Sequence, residues 1–511
     1  MQFLSLGFIL VWIVALVLYY LIPVLVKSKN SKQWIVLLIV SIAFYLYAIK
    51  AVPIGMLATG ISTYLCGLYL QKSLNKEKSH VASLSDKDEK KKIKSEYLKK
   101  RKGVQVVYFI LNLGLLVCFK YTSLIMPLGI SFYTLVAFGY IVDAGRENCE
   151  VETNPGKLFC FLFYFPGVTQ GPFTRAKEML TQFEEDHKYD IDVIIRGIIR
   201  FLWGAFKKLV IADRIGIFVD NVYGSDLNEV SGSFLALATV LYVLQLYSDF
   251  SGYIDMAMGI SESFGISLPE NFKRPLFAKN VAEFWRRWHI SLGNWFKDYV
   301  MYSFVMSSVG RKLGKKAKSL SKNNGRLFVP VLGTMLVWIL TGAWHGKTVT
   351  YMLWGVYYGV IMSISLILEG TFKKWKDALH IKDGRLYSAF SVFRTWIIVF
   401  VADALIRCNT LTEAKSVFSA MLLRFNIRVL LSSSLTDFGL SKYDFMKLFV
   451  ALFIFFVVSV MQEKKIDVRD YLKSRPLPIR WGCYYILILM ILVFGIYGGG
   501  FDTSAFMYQS F

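Results

Sequence analysis

The 511-residue chain has no closely spaced cysteines, no nucleotide-binding loop and no serine elbow, and each absence removes a class of protein. Cys66, Cys118, Cys149, Cys160, Cys408 and Cys483 are scattered, which excludes a disulfide framework or zinc cluster and leaves them as small packing residues. No spacing of histidines, cysteines or carboxylates suggests a metal or a haem, so no metal and no resident cofactor are expected. Gly342-Ala-Trp-His-Gly-Lys-Thr ends like a phosphate loop, but the Walker spacing needs glycine where Thr341 stands. Neither a Gly-x-Ser-x-Gly elbow nor a Cys-His arrangement is present, so a covalent serine or cysteine nucleophile has no support. The lack of a fixed-period repeat excludes solenoids and weakens an inverted-repeat transporter. Acidic residues are few, 36 against 59 Lys and Arg, for a net charge of +23.

What is abundant is apolar surface: 55% of residues are hydrophobic and 16% aromatic, so a bilayer is the natural solvent. Apolar runs recur at 4–26, 34–49, 54–70, 104–119, 234–247, 351–368, 448–461 and 481–497. They predict an all-α polytopic membrane protein, one integral membrane domain over 1–511, with roughly ten or more transmembrane helices. The first run is too long for a signal-peptide core and has no basic residues before it, so it reads as a retained span. Lys and Arg sit mainly between the runs, a distribution that membrane topology explains better than nucleic-acid binding does. The stretch 71–102 holds twelve Lys or Arg against five Asp or Glu and reads as a cytoplasmic basic loop over 71–103. With three spans before it, the basic stretch 27–32 also falls inside and the N-terminus outside. Segments 311–326 and 373–385 read as further basic loops. Pro127, Pro155, Pro166, Pro172, Pro269 and Pro275 break the middle of the chain. Irregular backbone is tolerated at membrane depth only where protein or water covers it, so 127–345 is expected to form a catalytic core of re-entrant or half-length helices around a central cavity.

Of five histidines, His80, His187, His289, His345 and His380, only His289 and His345 stand in strongly aromatic, apolar surroundings. His345 closes a membrane-embedded run in which Gly342 and Gly346 let another group approach the backbone closely. His289 lies in a stretch where Trp285, Trp288, Leu292, Trp295 and Tyr299 recur at spacings of three and four, the pattern of one amphipathic helix. Either ring alone is equally well a buried histidine satisfied by a carbonyl. As a pair they point to function, because ionisable groups at membrane depth are costly and burial keeps an imidazole neutral, the form that takes a proton from a hydroxyl. Asp249 and Asp255, at the end of an apolar run, either orient a histidine or bind sugar hydroxyls, or pair with basic residues across the bundle. Trp288 and Trp344, next to the two histidines, join them as candidate cavity-lining residues.

Tyr247-Ser-Asp-Phe-Ser-Gly-Tyr, Leu268-Pro-Glu-Asn-Phe, Glu283-Phe-Trp-Arg-Arg-Trp-His-Ile-Ser-Leu and Thr341-Gly-Ala-Trp-His-Gly together resemble the membrane-bound O-acyltransferases, and within them the bacterial alginate O-acetylation branch. Pro127-Leu-Gly-Ile-Ser-Phe-Tyr-Thr, Gln170-Gly-Pro-Phe-Thr-Arg and Phe206-Lys-Lys-Leu-Val-Ile-Ala-Asp-Arg extend the likeness over about residues 40 to 511. The resemblance implies that His345 is the essential histidine and His289 the second motif position. It also implies an acyl group, most often acetyl from acetyl-coenzyme A, moved from the cytoplasmic side toward a cell-surface polysaccharide, with an extracytoplasmic SGNH-type partner finishing the transfer. D-alanyl transfer to teichoic acid is the neighbouring alternative, and a polysaccharide transporter or flippase the alternative of a different class.

Overall fold

The structure, a computed structural model, describes residues 3–26, 32–49, 54–122, 127–321 and 325–497. The basic stretch 27–32 therefore falls, all but its last residue, outside the described residues. Those residues form helices joined by turns and irregular segments, with no strand among them. Among the described residues eight helices are long and apolar enough to cross a membrane: Leu6–Leu25, Lys87–Tyr121, Gly232–Ser263, Gly325–His345, Val349–Ala378, Arg385–Ile406, Lys442–Glu463 and Leu477–Phe494. Two shorter apolar helices, Trp34–Tyr47 and Ile130–Gly145, accompany them. Outer faces such as Leu10, Val14, Val17 and Leu21, or Phe449, Phe453 and Phe456, are exposed rows of large apolar side chains that only lipid can solvate. The chain is a multi-pass membrane protein.

The chain divides into two compact units, the first made of Met1–Ile198 with Ala257–Pro269 and the second of Ile199–Met256 with Glu270–Phe511. In the first unit, the proline-broken stretch from Phe163 to Phe173 is almost wholly buried without being helical, as expected of irregular backbone shielded from lipid. Its backbone is satisfied inside the protein: Phe165 N–H donates to Ser41 Oγ at 3.1 Å, and Gly167 and Gly171 close turns on Tyr164 and Gly167. Gly129 sits at φ 72°, where a Cβ would lie 2.0 Å from the Val168 carbonyl oxygen, so only glycine fits there.

The hydrophilic insert is not a loop. The helix Ile54–Ala82 runs on through it and Lys87–Tyr121 begins within it, leaving 83–86 as the connection. Lys, Glu and Leu are good helix formers, and each arm extends an apolar helix already nucleated below it. Arg101 pairs with Glu77 across the two arms, and Asp86 caps the second by accepting from Glu89 N–H at 2.9 Å. The other two basic segments are also largely helical: Ser308–Leu320, capped by Ser307, covers most of one, and Val349–Ala378 runs into the other.

In the second unit, glycines let helices touch backbone to backbone. Gly342 faces Gly355 in the hairpin of Gly325–His345 and Val349–Ala378, where a Cβ on Gly342 would lie 2.5 Å from the Tyr351 carbonyl oxygen. Gly204, in the helix Ile191–Phe206, meets Gly252 of Gly232–Ser263 the same way, at 2.4 Å from the Gly252 oxygen. Helix propensity alone favours Gly→Ala by up to about 1 kcal/mol. Gly204→Ala is nevertheless expected to lower the thermal midpoint in detergent. Gly114→Ala, at a helical position with open space around it, should leave the midpoint unchanged or raise it.

Candidate active site

The periodicity over 283–299 predicts one continuous helix, and the structure breaks it. Val281–Arg287 stops, Ile290–Trp295 starts afresh, and a π-helix, Phe296–Met301, follows. At the break His289 takes φ 46° and ψ 50°, the left-handed region that a non-glycine residue enters only when its surroundings compel it. The compulsion comes from Asn271, in the irregular segment after Pro269. Its backbone carbonyl accepts from Ile290 N–H at 3.0 Å, and the Arg287 carbonyl accepts from Lys273 N–H at 2.9 Å. The Asn271 side-chain Oδ1 accepts from Ser291 N–H at 3.0 Å and from Ser291 Oγ at 2.8 Å, and lies 3.2 Å from His289 Nδ1. Arg287 holds the other side of the break, donating to both carboxylate oxygens of Glu463 at 2.9 and 3.0 Å.

The imidazole of His289 is buried against Phe250, with centroids 4.8 Å apart. His345, at the end of Gly325–His345, is buried between Trp344 and Trp354, at 4.9 and 5.3 Å. Trp344 also lies 6.4 Å from His289, so one indole stands against both histidines. Behind His345, Trp354 packs with Trp285, Trp338 and Tyr358 in a tight aromatic cluster. His289 lies outside the eight candidate spans. Burial pushes its pKa well below the usual imidazole value, and a charge on nearby His345 would lower it further.

The two acidic candidates serve elsewhere. Asp249 accepts from Lys208 Nζ at 2.8 Å, and Lys208 also reaches Asp213 at 2.8 Å, all three nearly dry. Asp255 meets Lys207 at 2.7 Å and Arg200 at 3.0 Å, while Lys207 also donates to Ser251. Lys207 and Lys208 open the π-helix Lys207–Ala212, whose wider turn departs from ordinary α-helical register. Asp255 lines a cavity of about 740 Å³ that neither imidazole, nor Asp249, Trp288 or Trp344, lines. The cavity's wall includes Tyr247 and Phe272, whose rings pack on Trp288 at 5.7 and 5.1 Å, so it ends one aromatic layer from the break at His289.

Sequence reasoning missed Asn271, Trp354 and the basic pair Arg200 and Lys207. A signal for Asn271 was available, since it stands in Leu268-Pro-Glu-Asn-Phe, one of the stretches that carry the family resemblance.

The model of the MBOAT, membrane-bound O-acyltransferase family, matches residues 153–412, a stretch that contains both histidines and Asn271. The chain belongs to this family. It is 31% identical over 303 residues to the probable alginate O-acetylase AlgI of Pseudomonas aeruginosa, covering 59% of this chain and 53% of that one. It is 32% identical over 305 residues to the peptidoglycan O-acetyltransferase of Helicobacter pylori, with 51% and 54% covered. To the teichoic acid D-alanyltransferase of Bacillus subtilis it is 32% identical over 258 residues, with 50% and 62% covered. The chain thus spans little more than half the length of the curated relatives it matches.

The pairing with Lys208 makes Asp249 a structural residue, apart from the two histidines. Asp249→Asn should leave Lys208 with less than its full countercharge and destabilise the fold by about 3 kcal/mol. Denaturant unfolding in detergent checks this, and undiminished stability with lost turnover would contradict it.

Proposed function

We propose that this protein is an O-acyltransferase of the cytoplasmic membrane, with its N-terminus outside, that moves an acetyl group from acetyl-coenzyme A toward a hydroxyl of a cell-surface polysaccharide. The observation that carries the reading is the pair of buried imidazoles against one indole, with His289 kept neutral by burial. His345 takes the proton of the attacking hydroxyl as its oxygen bonds to the thioester carbonyl carbon. The carbon–sulfur bond then breaks, and the proton passes from the imidazolium to the leaving thiolate. Neutral His289 adds no competing positive charge to that transfer, and the aromatic walls exclude water that would hydrolyse the thioester.

The 740 Å³ cavity supports a coenzyme-A donor. Arg200, Lys207, Lys273, Arg274, Lys465 and Arg469 outnumber Asp255, Glu270 and Asp467 along its walls, and Phe455, Ile486 and Met490 supply an apolar side. Such a lining suits a ligand with phosphates at one end and an uncharged arm at the other. The acceptor is the polysaccharide, reached directly or through an extracytoplasmic SGNH-type partner whose serine carries the acetyl group onward. The teichoic acid D-alanyltransferases among the relatives favour a second reading, in which the donor is a D-alanyl thioester on a carrier protein.

Purified protein in detergent should consume acetyl-coenzyme A, and His345→Ala should lower that rate by about 100- to 10,000-fold without unfolding the chain. A transporter or flippase would show no histidine-dependent thioester loss. Because the His289 pKa is lowered, its ring stays neutral as pH falls through about 6.5. In an NMR pH titration the His289 ring should therefore still be neutral below that value. Protonation of His289 at or above pH 6.5 would contradict the buried neutral ring.

A further inference from the structure

Asn271 is 0% exposed and carries one acceptor oxygen and two N–H donors on a single amide. The orientation of that amide is decided by its neighbours. Ser291 backbone N–H can only donate, so the atom 3.0 Å from it must be the oxygen, and the opposite assignment would set two donors against each other. Because Oδ1 can only accept, the His289 nitrogen 3.2 Å away, Nδ1, must carry the hydrogen of the neutral ring. The lone pair is then on Nε2.

The other end of the amide is unusual. Among the described residues Asn271 Nδ2 has no hydrogen-bond partner, although it is buried. A buried donor left unpaired is costly, and such groups in folded proteins call for an explanation. The expense falls on the one side chain that both forces the break at His289 and fixes its ring. Nδ2 shares a carbon with the oxygen that faces the imidazole, so one rigid amide links that ring to whatever acceptor pairs with Nδ2.

We propose that Asn271 works at both ends of its amide: Oδ1 positions His289 as the Nδ1–H tautomer, and Nδ2 donates to the carbonyl oxygen of the bound acyl group as negative charge develops on it. This assignment rests on the acyl-transfer reading for its second half only. Preorganised donors of this kind act most strongly where water is excluded, and the loss of one lowers turnover by about 100- to 1,000-fold.

Nitrogen NMR of histidine-labelled protein, with the His289 signals identified by loss in His289→Asn, tests the first half without any turnover. The expected result is a protonated Nδ1 and a bare Nε2 in the wild type, and a mixture of tautomers in Asn271→Ala. A bare Nδ1 in the wild type would overturn it, and so would an Asn271→Ala pattern identical to wild type. Asn271→Asp tests the second half, because a carboxylate still accepts from Ser291 and from His289 Nδ1–H but offers no donor in place of Nδ2. That variant should take up the His289 proton at higher pH than the wild type does, since a carboxylate favours the imidazolium. Its kcat on the high-pH plateau should stay about 100-fold or more below wild type with KM little changed. A plateau equal to wild type would overturn the donor role. If the wild type shows no His345-dependent thioester loss, the acyl-transfer reading fails, and the tautomer measurement still stands or falls alone.

Discussion

The break between Trp288 and His289 depends on one amide that lies 18 residues upstream. Helix formation through that point would satisfy Ile290 and Ser291 N–H locally, and Asn271 offers both of them better-placed oxygens, one from its backbone and one from its side chain. Once those donors are taken, the helix cannot continue and His289 adopts a left-handed conformation that would otherwise be avoided. The strained turn lets the ring lie against Phe250 and Trp344 instead of following the aromatic stripe of an uninterrupted helix.

Polar groups elsewhere in the second unit obey the same constraint by different means. Lys207, Lys208, Arg200 and Arg287 lie among apolar side chains, and each is matched to carboxylates at 2.7–3.0 Å. Pairing makes such charges tolerable where water is scarce, and losing a partner costs more than the pair ever contributed. Asp249 and Asp255 are consumed in that framework. His289 needs no countercharge, because burial keeps its imidazole neutral.

Charge blocks ordinarily repel and solvate, which predicts a loop over 71–103, yet its two halves extend apolar helices and are pinned by Arg101 with Glu77. Spacings of three and four predict a continuous helix across 283–299, because they report only local periodicity. A competing hydrogen bond from Asn271 leaves no trace in that pattern. The stretch around Pro166 and Pro172, by contrast, is legible as buried irregular backbone, because two prolines close together in a run too short for a full span remove the donors a helix needs.

The amino-acid sequence by itself determined the class of the molecule, a multi-pass helical membrane protein, since run length and hydropathy act residue by residue. It also singled out His289 and His345, since an ionisable ring in an apolar run is conspicuous without any structure. Only the tertiary structure decided that one indole would stand against both rings, that Asp249 and Asp255 would be bound to lysines, and that Asn271 would hold His289. Those outcomes depend on side chains far apart in the chain competing for the same few donors and acceptors. Where water is absent, that competition is settled by geometry alone.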